Sequence, residues 1–584
     1  MFIIKFSTVL TLFLITLTVL TFIKKYLTYK GLTLLLLLNN FIFLIICSSN
    51  WSKYIIKYDT ESFAIKINTI TWININYTLS FKVTTLSFLF VLLVLIISFA
   101  TNVYTLNYFK YEERAEEFIL LVNWFVFSMI LFVCGNNFFT LILGWELIGL
   151  TSFLLINFWK FKTTTLTCSL KAFAFNKVSD LFLILAFGIL WSAYKIDEID
   201  VLLNAISLDK TAKIGKLLLA CICLIICSSI KSAQIVGHLW LPDSMEAPVP
   251  ASSLIHSATL VSAGIYLLLK FQLIFMLTGL LSTLFFIGSL TAAYGGVVAA
   301  AQTDVKKLLA YSTISHCGFI VASIGLNNFL ITIIYLYLHG LLKAVTFFCA
   351  GSLIKTNNTQ DMRYMGTTKL NLFNIITLIM SAINLGGLPF TYGYLYKQLF
   401  LNYLVANPYS FVGYGFCLIG MLSSVVYVYK LIYYSCFDFA KGFTQYVPLT
   451  IQNYTTLISN YYKQFTANKL ISFSIIYLYI IVFYCIIRNY MLQTYIFYQP
   501  YTELGTNEMK FLYEFIYLKK HLISVYYVLF DIILVILVLN SERTRYFYGE
   551  FVVLLRQILL FFVFYRFVNN LLFYVLPLVS GLFV

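Results

Sequence analysis

Blocks of apolar residues recur along this chain from one end to the other, separated by short polar stretches. Each block is about long enough to cross a bilayer core of roughly 30 Å as a helix. In lipid a backbone must satisfy its own N–H and C=O groups, and a helix does so within one segment. The pattern therefore predicts helices over 2–23, 31–49, 79–103, 117–134, 137–158, 168–192, 216–236, 251–270, 273–300, 305–326, 328–354, 370–390, 392–406, 410–436, 469–487, 520–540 and 557–583. Some neighbours read as two halves of one helix. The expectation is an all-α polytopic membrane protein with about 15 transmembrane helices. The first block, Met1 to Phe22, has no small-residue cleavage site and reads as a retained first helix.

Two places break the apolar pattern with Gly and Pro. One runs from Gly237 to Pro250 and includes Pro242 and Pro248; the other is Gly386-Gly387-Leu388-Pro389. Each adjoins a lysine in apolar sequence, Lys231 before the first and Lys397 after the second. Paired broken helices in two halves of a chain mark an inverted-repeat transporter. The plainer reading is two ordinary helix ends beside loops. Beyond 440 the pattern changes: 440–468 and 488–519 are polar and Tyr-rich. These shifts divide the chain into N-terminal helices and a loop (1–78), a core (79–410) and C-terminal helices with polar insertions (411–584).

Composition agrees with lipid as the solvent. The chain is 61% hydrophobic and 11% charged, against roughly 25% charged in an ordinary soluble domain. So few charges do not cover a water-facing surface of this size. A net charge of +16 would suggest nucleic acid in a soluble protein. Here the Lys and Arg are spread over loops, with no basic face interleaved with aromatics, so no nucleic-acid partner is expected.

The loop charges read instead as topology signals. Lys24, Lys25 and Lys30 follow the first block, and Lys160 and Lys162 follow the fifth, on the same side by parity. The acidic loop with Asp197, Glu198, Asp200 and Asp209 falls opposite. The positive-inside rule then places the N-terminus outside. The 56 Phe and 44 Tyr exceed what membrane interfaces need, and fit an AT-rich organelle genome. The 11 cysteines show no iron–sulfur or CxxC spacing, and Cys221, Cys223 and Cys227 read as packing residues of one helix. There is no GxGxxG after a strand, no P-loop, no HExxH and no GxSxG. The chain itself is therefore expected to bind no cofactor and no metal.

Ionisable residues inside the apolar blocks carry the candidate chemistry. A charge at mid-membrane costs roughly 2.5–3.5 kcal/mol on insertion scales, so several together call for a purpose. Glu146 sits near the middle of its block, too deep to snorkel. Lys231 follows an apolar helix; burial there disfavours the ammonium form, and a carboxylate nearby opposes that. Glu146 and Lys231 as a pair would make a gated proton site. His256 has Ser253 and Ser257 as hydroxyl neighbours, and His339 precedes Lys343 by one turn on one helix face. Lys343 and Lys397 extend a line of charges through the membrane midplane. Lys177 and Asp180, three residues apart, read as a supporting ion pair. For a single histidine or lysine the blander role is packing or a structural ion pair. His521, at a block edge, reads as structural.

These residues sit in recognisable wording. Gly144-Trp145-Glu146-Leu147-Ile148-Gly149-Leu150-Thr151-Ser152 resembles the glutamate helix of the antiporter-like subunit 5 family of respiratory NADH:ubiquinone oxidoreductase. Lys171 to Asp180 resembles the helix that follows. The strongest likeness runs Lys231-Ser232-Ala233-Gln234, then Trp240-Leu241-Pro242-Asp243-Ser244-Met245-Glu246-Ala247-Pro248-Val249-Pro250 to His256. Asp304 to Ser315, His339 to Ala344, and Gly386 to Lys397 complete it, so the resemblance covers about 80–400.

The resemblance implies two inverted five-helix repeats, each with a broken helix, and a C-terminal lateral helix along the membrane surface, placed within 508–556. It implies a proton route through Glu146, Lys231, His256, Lys343 and Lys397, to which the residue reading adds His339 as a relay beside Lys343 and Lys177 with Asp180 as supporting charges. It implies an H⁺-translocating subunit of NADH:ubiquinone reductase, with NADH, FMN, iron–sulfur clusters and ubiquinone in partner subunits. The partners it implies are other membrane-arm subunits, especially the chain 4 homologue, and lipids such as cardiolipin. The setting it implies is the mitochondrial inner membrane, with a bacterial plasma membrane as the alternative.

Several positions depart from the family's usual wording: Lys177 for Arg, Ser179 for Gly, Gln398 for an acidic residue, Thr84 for Asp and His316 for an amide. Two rival readings remain. One is an Mrp-type cation/proton antiporter subunit, which shares this core but usually carries a longer C-terminal membrane region. The other is a membrane scaffold that has lost transport, against which the joint presence of Glu146, Lys231, Lys343 and Lys397 argues.

Overall fold

Long apolar blocks close into helices because the helix pairs every interior N–H and C=O within the block. The computed structural model describes residues 6–26, 28–49, 61–67, 77–110, 112–208, 214–357, 359–365, 372–388, 391–406 and 411–437. Helix α1 (Phe6–Ile23) and α2 (Tyr29–Ser49) open the chain, followed by strands β1 (Glu61–Ile67) and β2 (Tyr77–Val83). Then come α3 (Thr85–Tyr108), α4 (Ala115–Cys134), α5 (Phe138–Ile156), α6 (Thr163–Tyr194), the short α7 (Ile199–Leu208) and α8 (Ile214–Lys231). The next stretch is built from shorter pieces: α9 (Trp240–Asp243), α10 (Val249–Ser257), α11 (Leu260–Lys270) and α12 (Gln272–Thr278). Long helices resume with α13 (Leu281–Ala301), α14 (Val305–Gly325) and α15 (Phe329–Asn357), and the series ends with α16 (Leu372–Gly386), α17 (Tyr392–Ala406) and α18 (Phe411–Ile432). A π-helical turn, Tyr433–Phe437, continues α18.

Among the described residues, 11 helical segments are long and apolar enough to cross a membrane, with shorter apolar helices at Thr11–Ile23, Ile199–Leu208 and Asn374–Gly386. The expected helices 469–487, 520–540 and 557–583, and the lateral helix within 508–556, lie outside the described residues.

The structure departs from the sequence expectation at three joints. The helix expected from 79 begins at Thr85, because Tyr77 to Val83 forms a strand antiparallel to β1, with Phe63 opposite Phe81. The reason is visible in Tyr77-Thr78-Leu79-Ser80-Phe81-Lys82-Val83, where apolar and polar residues alternate with the period of a strand. Thr84 then starts α3 as an N-cap, accepting from the Ser87 N–H while the Ser87 hydroxyl accepts from the Thr84 N–H. The block 251–270 is two helices with a joint at Ala258 and Thr259, although neither is Gly or Pro. The block 273–300 is also two, hinged at Gly279 with a φ of 73°.

The sidedness inferred from loop charge has a counterpart in the packing. Helix α4, about 30 Å long at 1.5 Å per residue, starts beside Lys24, whose Nζ lies 4.0 Å from Glu117. Its far end joins the acidic loop: the Asn136 N–H donates to Ser80 O at 3.0 Å, and the Ile199 N–H donates to Asn136 O at 2.9 Å. The basic Lys24 turn and the Asp197–Asp200 segment therefore lie at opposite ends of α4.

Helices α13 and α14 pack along their length through small residues. A Cβ on Gly288 would lie 2.4 Å from the Ala322 backbone N, and one on Gly318 would lie 2.5 Å from Ala292 N. In membranes small residues let backbones approach, and packing replaces the hydrophobic drive that water supplies elsewhere. Helix α14 of this pair carries Leu309 and Ser312, which belong to the second half of the candidate site.

Candidate functional site

Helix α5 carries Glu146 one position after the fully buried Trp145. Successive residues on a helix point about 100° apart, so the two face different neighbours. The Glu146 carboxylate meets the Lys177 ammonium of α6 in an ion pair. Lys177 also lies 3.4 Å from Asp180, one turn along the same helix. Asp180 is buried, whereas Glu146 and Lys177 are half-exposed on the isolated chain.

Lys231 is wholly buried at the end of α8. It does not pair with Glu146. Its Nζ donates to the Trp145 carbonyl at 3.1 Å and sits 4.6 Å from the centre of the Trp145 ring. The expected direct pair is thus replaced by a shared cluster, in which the charges of Asp180 and Glu146 both reach Lys231. Gly149, one turn beyond Trp145 on α5, also borders Lys231: a Cβ there would lie 3.6 Å from Nζ.

The chain breaks immediately after Lys231. Ala233 and Val236 have φ of 53° and 63°, a region that side-chain-bearing residues rarely occupy and that is held only where surroundings dictate it. Here the surroundings do so: Trp240 Nε1 donates to Ile230 O at 2.8 Å, and Gln234 accepts from the Thr291 hydroxyl at 2.6 Å. The break ends at α10, where His256 is buried with Nε2 3.2 Å from the Ser244 hydroxyl. Its ring stacks against Phe347 of α15 at 5.8 Å.

Lys343 lies on α15, fully buried, donating to Leu309 O at 3.2 Å and to the Ser312 hydroxyl of α14. His339 is one turn earlier on the same helix, with its ring 5.4 Å from that of His316. Lys397, on α17, donates to Gly386 O at 2.9 Å and to the Ser424 hydroxyl of α18 at 2.7 Å. This second break needs its glycine: Gly387 has a φ of 69°, and a Cβ there would lie 2.6 Å from Lys397 Cδ.

The eight expected residues thus fall in two groups. Glu146, Lys177, Asp180 and Lys231 form one cluster, and His339, Lys343 and Lys397 lie in the second half, with His256 between the halves. Sequence reasoning gave no role to Ser312, His316, Tyr335, Ser424 or Tyr427, which join the second group by hydrogen bonds. The one signal for them was His316, four residues after Ser312 and unusual for its position. Four buried polar groups along this line have no protein partner among the described residues: Trp145 Nε1, the Asn176 amide, His256 Nδ1 and His339 Nε2. Buried polar groups are costly unless partnered, by protein or by water. A line of lysines held by neutral carbonyls and hydroxyls, beside such groups, is chemically suited to taking up and releasing protons.

The chain is similar to known membrane proteins. Residues 135–424 match the family model described as NADH:quinone oxidoreductase/Mrp antiporter, transmembrane. NADH-ubiquinone oxidoreductase chain 5 of Paramecium tetraurelia is 37% identical over 490 residues, covering 81% of this chain and 84% of that protein. Its namesake from Wickerhamomyces canadensis is 33% identical over 71% of this chain and 64% of its own length. The one from Phytophthora infestans is 35% identical over 62% of this chain and 57% of its own length. A chain in the solved structure of the membrane-bound sulfane sulfur reductase, an archaeal respiratory membrane complex, shares the fold. The TM-score is 0.64 at 16% identity, over 80% of this chain and 96% of that one. The chain belongs to the NADH-ubiquinone oxidoreductase chain 5 family.

Proposed function

We propose that this chain is the proton-translocating, antiporter-like membrane subunit of an NADH:ubiquinone oxidoreductase. Its work is to couple electron transfer in partner subunits to proton movement through its own helices. The observation that carries the reading is that Lys231, Lys343 and Lys397 are buried, lie in or beside broken or hydroxyl-lined helices, and among the described residues bond only to neutral oxygens. Among the described residues no carboxylate binds these three ammonium groups directly, so burying them at roughly 2.5–3.5 kcal/mol each is not offset by an ion pair. Their burial has a functional return if each gains and loses a proton.

The first cluster supplies a gate. While Lys177 holds Glu146 and Asp180, its single positive charge offsets one of their two negative charges, so their pull on a Lys231 proton is weakened. When that contact opens, the same carboxylates favour the ammonium form of Lys231 by direct Coulomb attraction. Moving one elementary charge against 100 mV costs about 2.3 kcal/mol, so a modest change in pairing suffices to bias each step.

Glu146 and Lys177 also argue for a neighbour. They are half-exposed at the middle of membrane-crossing helices, where charges face protein or water in preference to lipid. The face of α5 and α6 is therefore covered by another membrane-arm subunit, for which the chain 4 homologue is our candidate, with lipids, cardiolipin among them, filling the remainder. The electron carriers NADH, FMN, iron–sulfur clusters and ubiquinone belong to partner subunits. The membrane is the mitochondrial inner membrane, and the translocating core is 79–410.

A native gel of gently solubilised membranes tests this. Peptides of this chain are expected in the megadalton band that stains for NADH dehydrogenase activity. Migration alone, or with small partners lacking that activity, would favour the Mrp-type antiporter reading.

A further inference from the structure

His316 is buried on α14, one turn beyond Ser312. Both of its ring nitrogens meet phenols from other helices. Nδ1 lies 2.7 Å from the Tyr335 hydroxyl on α15, and Nε2 lies 3.0 Å from the Tyr427 hydroxyl on α18. Tyr335, His339 and Lys343 follow one another at four-residue intervals, so they form one stripe along α15. On the far side, Tyr427 is one turn from Ser424, the hydroxyl that accepts from Lys397. The titratable and charged groups around His316 are thus Tyr335, His339 and Lys343 from α15, Tyr427 from α18, and Lys397 from α17.

The geometry points to His316 as the proton relay that joins the Lys343 side of this chain to the Lys397 side, with Tyr335 and Tyr427 as its two partners. The inference rests on the transport reading above. A neutral imidazole has one N–H and one bare nitrogen, so one phenol donates to it and the other accepts from it. Take Tyr335 as the donor. A proton arriving at the Tyr335 oxygen lets that hydroxyl's own hydrogen pass to Nδ1. The Nε2 hydrogen passes to the Tyr427 oxygen, and the Tyr427 hydroxyl hydrogen leaves towards Ser424 and Lys397. One proton enters, one leaves, and the ring changes tautomer with no net charge left behind. An amide at this position would bond both phenols and pass no proton between its nitrogen and its oxygen. The route is therefore tied to the histidine this chain carries.

The competing role for His316 is a pin between α14, α15 and α18. The test uses membrane vesicles containing the whole complex, with assembled complex quantified on native gels and proton uptake driven by NADH. Lys343→Ala serves as the reference for lost transport. His316→Phe and His316→Gln are expected to assemble and to lose proton uptake to the level of Lys343→Ala. His316→Gln combined with Tyr335→His puts the imidazole on the other side of the same hydrogen bond and is expected to recover uptake. Normal uptake in His316→Gln beside lost uptake in Lys343→Ala would overturn the relay and leave a pin, since the amide keeps the contacts. Normal uptake in Lys343→Ala as well would remove the transport reading on which the relay depends.

Discussion

Single residues divide here into those that hold a charge and those that switch one. Lys177 holds: it faces Glu146 and Asp180 at once, and removing it leaves two carboxylates to act on Lys231. Lys177→Met is expected to slow NADH-driven proton uptake about tenfold, the factor that about 1.4 kcal/mol gives, while Lys177→Arg keeps the rate. Uptake assays normalised to assembled complex check this. Asp361 shows the contrasting case, a charge outside the membrane. It accepts from the Arg363 N–H at 3.0 Å and from Arg363 Nη2 at 2.5 Å, and this hydrogen bonding holds its carboxyl below its ordinary value. A depressed carboxyl contributes its stability above the unfolded-state value, near 3.9, and loses it only as pH falls through the lower folded value. Asp361→Asn should therefore shift the thermal midpoint of the complex equally at pH 6 and pH 8. A pH-dependent difference between those values would contradict this.

The charged residues of the site were legible in the sequence because ionisable groups stand out in apolar blocks. The Lys177–Asp180 pair was legible from its spacing; the other partners were not. Glu146 finds Lys177 and leaves Lys231 to a backbone carbonyl, because neighbouring α5 positions point in different directions and only packing decides which helix each meets. His316 was visible as an unusual residue, yet its two phenols come from helices more than one turn removed in sequence, so no spacing rule reaches them.

At the level of elements, hydropathy located most helices and failed at their joints. The strand at Tyr77–Val83 was readable from its alternation but was absorbed into the apolar block beside it. The joint at Ala258–Thr259 carries neither Gly nor Pro, and a Gly340 Cβ would press within 2.9 Å of Ser257 O; that close approach of α15 to the end of α10 is tertiary and leaves no local mark. The break at Gly386-Gly387 was legible, and its reason is now specific. Gly387→Ala is expected to displace Lys397 from Gly386 O and Ser424, lowering proton uptake in an assembled complex. Wild-type uptake would mean the break tolerates a side chain. Between α13 and α14 the constraint is packing alone. Gly288→Ala is expected to cost about 1–3 kcal/mol, as overpacking does, read as a lower thermal midpoint of the solubilised complex.

Across the described residues, the two breaks and the lysines beside them place two groups of buried polar residues in the bundle, with His256 between them. The half-exposed Glu146 and Lys177 explain why this chain belongs in an assembly. Leu181→Cys, exposed one turn beyond Lys177 on α6, is expected to cross-link to another membrane-arm subunit. Labelling by lipid-soluble reagents alone would place that face against lipid. The central claim, that protons move through this chain, is tested most directly by the ratio of protons moved to electrons passed in proteoliposomes holding the complex with Lys231→Ala. The expected result is a lower ratio, or electron transfer arrested together with uptake, at normal assembly. An unchanged ratio at an unchanged rate would contradict the claim and leave the buried lysines as structure.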